Sequence, residues 1–162
     1  MIWITVLWVH LIAAMVWIGG MAFLTIIAAP SLKRSAPPEV QPILYKDIGR
    51  RFKLVGWICI FILILTGPIN IYHHITSHHM TDDGGDSFHG VFVLKLGLVL
   101  IMILLSLVHD FVLGPLLGEK KREGLPPSRF LKLIVPWMGR VNLILGLIVI
   151  YLGLTLAQMN TH

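Results

Sequence analysis

The chain has 162 residues, 56% of them apolar and only 13% charged, with a mean hydropathy of +0.84. Water-soluble domains carry about 25% charged residues, so disorder, a coiled coil and an ordinary soluble enzyme are excluded. The net charge of +5 reads as loop charge on a membrane protein rather than a nucleic-acid surface, and a single cysteine, Cys59, excludes a disulfide framework or a Cys-based zinc or iron–sulfur site.

Four apolar runs follow in order, each near the ~20 residues that cross a ~30 Å hydrocarbon core. The first, 2–32, holds no Lys, Arg, Asp or Glu; it is too long for a cleavable signal peptide and lacks the basic leader of one. Its Gly19–Gly20 pair, with Ala13 and Ala14, predicts a small-residue face for close helix contact. The second, 54–74, contains Gly67–Pro68, which predicts a kink near its outer end. The third, 89–117, is interrupted by Lys95, His109 and Asp110, and the fourth, 131–157, has Arg140 and Asn142 near its start. No strand alternation or repeat competes with this pattern. The expected fold class is all-α, a single integral membrane four-helix bundle with its backbone hydrogen bonds satisfied inside each helix.

The basic residues set an orientation. Lys33, Arg34, Lys46, Arg50, Arg51 and Lys53 follow the first span, and Lys120, Lys121, Arg122, Arg129 and Lys132 follow the third. Residues 75–88 and both termini hold no Lys or Arg. This predicts cytoplasmic basic connections, with both termini and the middle loop extracytoplasmic. Pro30, Pro37–Pro38, Pro42 and Pro126–Pro127 punctuate the cytoplasmic connections.

Ionisable groups within a span are costly and usually mark a pathway or a site. His10 and Lys95 fall at similar depth in the outer halves of the first and third spans. His109 lies roughly 21 Å deeper, next to Asp110. Lys95, Met102 and His109 recur every seventh residue and share a helix stripe, as do Trp3, His10 and Trp17. A stripe of donor atoms suits a metal path or a pocket with cofactor ligands. In the blander readings Met102 is core filler, His10 bonds a neighbour and Lys95 snorkels outward.

The middle loop offers His73, His74, His78, His79 and His89 with Met80, Asp82, Asp83 and Asp86. Imidazole and thioether donors suit copper, although solvated loop filler has the same composition. The predicted metal donors are therefore His10, His73, His74, His78, His79, His89, Met102 and His109. A fixed ammonium at Lys95 would oppose a simple cation path. No GxSxG, P-loop, dinucleotide-binding or HExxH motif is present. Cys59 reads as packing, and Arg140 and Asn142 are placed to pair with Asp110.

The segments WVHLIAAMVWIGGMAF, RRFKLVGWICIFILILTGPIN, FVLKLGLVLIMILLSLVHDFVLGP and GRVNLILGLIVIYLG resemble the four-helix domain of the copper-resistance D family over nearly the whole chain. That resemblance implies a bacterial inner-membrane protein of copper uptake or tolerance; a homo-oligomer or a larger membrane complex is a separate expectation. More distantly, the pattern is similar to membrane-bound bacterial protoporphyrinogen oxidase, whose first-span His and third-span Lys fall on His10 and Lys95. This second likeness implies haem b ligated by His10. By their position at the outer end of the second span, His73 or His74 should reach a similar depth as a further axial ligand, and the Lys95 ammonium suits a propionate or an acidic substrate. Copper ion, haem b or an accessory role in a membrane complex are thus the competing expectations.

Overall fold

A computed structural model describes residues 2–77, 85–116 and 128–158, and among them every regular element is helical. Helix α1 covers Ile2–Ala22 and passes through a π-helical segment, Phe23–Ala28, into α2, Ala29–Ser35. Helix α3 covers Gln41–Ser77, α4 Gly85–Leu107 with a second π-helical segment at Val108–Leu113, and α5 Arg129–Gln158. Four stretches, Ile2–Ser35, Gln41–His73, Phe88–Leu116 and Arg129–Gln158, are long and apolar enough to cross a membrane. Their outer faces carry exposed Trp8, Phe61, Leu100, Leu147 and Leu154. Apolar sides on every face need lipid rather than water as solvent, so this is a multi-pass membrane protein.

The chain divides into two compact units, Met1–Met80 and Thr81–His162. In the first, α1 and α3 pack antiparallel around Ala13, Trp17, Ile18, Met21, Cys59 and Ile60. Close approach depends on glycine at two levels. The Phe52 ring fills the place a Cβ on Gly20 would take, and Trp17 lies against the open face of Gly56. Gly19 faces open space, so only one glycine of the pair serves the helix contact. The first connection is shorter than its charges suggest. Lys46, Arg50, Arg51 and Lys53 ride on the opening turns of α3, and only residues 36–40 lie between helices. The Gln41 side chain donates to the Ala36 carbonyl at 2.8 Å and the Lys33 carbonyl at 3.3 Å, closing the C-terminal end of α2.

In the second unit α4 and α5 pack antiparallel around Phe88, Met102, Leu143 and Leu156. Asn142 on α5 is buried and donates to the Ser106 hydroxyl on α4 at 3.0 Å. Arg140 lies over the Trp137 ring, 5.7 Å from its centroid, rather than pairing with Asp110.

Both π-helical segments have one cause. Pro30 and Pro115 lack an N–H, and each ring crowds the carbonyl four residues back, so the preceding turn widens. Ala29 N–H donates to the Leu24 carbonyl and Gly114 N–H to the His109 carbonyl, each five residues back. The Tyr45 hydroxyl adds a 2.7 Å bond to the Ala29 carbonyl. The wide turns, their prolines, Trp17 with Met102, and His10 with Lys95 correspond at one constant offset along the chain. The sequence shows no repeat, yet each unit is built as the same hairpin.

Candidate functional site

His10 meets α3 at Thr66. Its Nδ1 is 2.7 Å from the Thr66 hydroxyl, and that hydroxyl donates its one proton to the Ile62 carbonyl at 2.7 Å. Thr66 therefore accepts from His10, and Nδ1 carries the hydrogen. In the neutral ring the lone pair then sits on Nε2, the tautomer a metal ligand needs. Cε1 of His10 rests 3.7 Å from where a Gly67 Cβ would be, so the absence of a side chain there lets the imidazole lie against α3.

One turn outward, the Asn70 amide nitrogen is enclosed without a hydrogen-bond partner. One further turn outward, His73 packs on Trp3 with ring centroids 4.5 Å apart and planes tilted by 37°. Thr66 and His73 are seven residues apart on α3, about 10 Å along the axis. His73 thus stands outside His10 at its own level and cannot sandwich one iron with it, contrary to the expectation that it reaches the same depth. His74 lies on α3, but its side chain is outside the described part.

The other predicted donors are scattered. His78 and His79, with Met80, Asp82 and Asp83, lie outside the described residues. His89 is exposed at the start of the third span. Met102 is 1% exposed, a packed side chain rather than the lining of an open path. His109, in the second wide turn, shares a 3.0 Å hydrogen bond between its Nδ1 and the Asp110 carboxylate. Lys95 reaches α5 and sets its ammonium 3.1 Å from the place of a Gly153 Cβ. No group of three or more His, Cys, Asp or Glu able to hold a metal occurs among the described residues. Sequence reasoning missed Thr66, Asn70 and Gly153. The first two carried a legible signal, as polar residues spaced four apart inside an apolar span.

A family model for a domain of unknown function, DUF4149, matches residues 12–125. The chain belongs to the DUF4149 family. The matched stretch contains Thr66, Lys95 and His109 and begins just past His10. An uncharacterized protein of Aquifex aeolicus (strain VF5) is 33% identical over 150 residues, which cover 91% of this chain and 90% of the relative. No solved structure matches.

Proposed function

We propose that this DUF4149 protein handles copper ions in the bacterial inner membrane, with both termini and the loop between its second and third spans on the extracytoplasmic side. The observation that carries the reading is the relay from His10 Nδ1–H through the Thr66 hydroxyl to the Ile62 carbonyl. Fixing the hydrogen on Nδ1 orients the ring and puts its lone pair on Nε2, the usual arrangement in a ligating histidine. His73 and His10 form successive stations about two turns apart, with the His-rich loop at the outer end. Such spacing suits an ion passed between ligands better than one held in a closed cage. The basic residues at the opposite end of both hairpins support the orientation.

Haem b is the second reading, favoured by the same His10 tautomer, whose Nε2 suits iron as well as copper. His10 could hold its iron on one side only, since His73 lies at another level.

The test is copper titration against a Cu(I) chelator, with a visible spectrum, on one preparation in lipid nanodiscs. Copper binding that disappears in His10→Ala, in colourless protein, is the expected result. A Soret band lost in the same variant would replace the copper reading with haem. Stoichiometric co-purification of a partner, with neither ligand bound, would leave an accessory role.

A further inference from the structure

Lys95 is the less ordinary of the two in-span groups, and its surroundings decide what it can do. A lysine in the outer part of a span normally snorkels, its stem running toward the nearest interface. On α4 that direction is toward the N-terminus, where side chains of a helix lean. Phe92 and Phe88, three and seven residues earlier, occupy that stripe with rings stacked at 6.4 Å and 8°, and Phe88 is buried. The lysine stem turns sideways instead, onto Gly153 of α5, where any Cβ would crowd Nζ at 3.1 Å. Ser106 and Asn142, both short side chains, fix the register of α4 against α5. By that register Gly153 is level with Lys95, so the ammonium stays at its own depth.

Lys95 makes no hydrogen bond or ion pair among the described residues. An ammonium at membrane depth without a counter-charge is expensive, and an apolar side chain would pack the same space at lower cost. The residues that flank Lys95 and Gly153 along each helix, Leu94 and Leu96 on α4 and Leu154 on α5, are apolar and exposed. A glycine niche, a cation and an apolar flank together fit a ligand that is acidic at one end and apolar along its body.

We propose that Lys95, seated on Gly153, is a binding site for the carboxylate or phosphate group of an acidic ligand, reached from the outer half of the membrane. The site lies wholly within the second hairpin and stands apart from the copper reading of His10. The anion forms charge-assisted hydrogen bonds with the ammonium, and its apolar body lies along one exposed apolar flank of the hairpin.

The full chain is reconstituted in phosphatidylcholine vesicles and titrated separately with oleate, phosphatidylglycerol and inorganic phosphate. Lysine side-chain NMR follows Lys95, and native mass spectrometry counts retained lipid. The expected result is a saturable shift of the Lys95 resonance and its loss in Lys95→Met, with retention of the acidic lipid falling at least about tenfold. Gly153→Leu, which fills the niche and keeps the cation, lowers retention in the same way. Gly153→Ala asks Nζ to move by only a few tenths of an ångström and preserves binding, which controls for folding. A response to oleate or phosphatidylglycerol alone identifies a lipid source, and an equal response to phosphate identifies a soluble anion. Equal retention by wild type and Lys95→Met, or no Lys95 shift with any of the three probes, overturns the proposal.

Discussion

The two hairpins differ most where their construction is most alike. At corresponding positions α1 carries His10 and α4 carries Lys95, and each reaches across to a glycine of the return helix, Gly67 or Gly153. On α3 the residue before that glycine is Thr66, whose hydroxyl fixes the imidazole. On α5 no such acceptor engages Lys95, and the ammonium is left to whatever comes to it. The comparison teaches that the hairpin supplies a place for a polar group, while the facing residue decides whether that group becomes an oriented donor or an open charge.

Substitutions can break that distinction. We predict the largest effect from His10→Ala, which abolishes copper binding while the helices still insert, because one imidazole adds little to four apolar spans. Lys95→Met leaves copper binding intact, and equal loss in both variants would undo the separation of roles. Thr66→Val keeps the imidazole but removes its acceptor, and it lowers copper affinity by about 10- to 100-fold, as loss of an orienting partner typically does. Unchanged affinity by chelator competition would show that the relay is packing only.

Smaller effects sharpen the structural side. Gly20→Ala forces a methyl group into the Phe52 ring and should destabilise the first hairpin by about 1–3 kcal/mol. Gly19→Ala, facing open space, should change little in the same unfolding titration in mixed micelles. Similar costs for the two would contradict the close contact at Gly20. Ser106→Ala removes the Asn142 bond in the second hairpin and should cost about 0.6 kcal/mol, the usual scale of interhelical bonds within membranes. Least of all, Asp47→Ala breaks an exposed pair with Arg51 and should shift stability by no more than about 0.5 kcal/mol.

Composition alone was enough to read the spans, because twenty apolar residues in a row have few other uses. His10 was likewise visible as an in-span imidazole, and the Trp3, His10 and Trp17 stripe is the line along which α1 meets α3. What escaped the sequence was decided by partners far along the chain. Thr66 matters because it faces His10, 56 positions away, and Gly153 matters because it faces Lys95. Pro30 reads as the edge of a loop, but the helix continues past it by widening a turn. Pro68 reads as a kink within its span, and α3 runs through it, as α5 does through Pro136. The correspondence between hairpins was hidden because backbone shape and one proline are shared while the side chains are not.

The widened turns at Phe23–Ala28 and Val108–Leu113 also set the angular phase of everything beyond them. Each behaves as one residue inserted into an α-helix, and one residue is worth about 100° of rotation. Pro30→Ala, which restores the missing N–H without changing the residue count, would let the turn tighten and swing Lys33 and Arg34 about a quarter of the way round the axis. Thiol-labelling of single cysteines along α2 would read that swing, and unaltered labelling would mean that the turn merely absorbs slack.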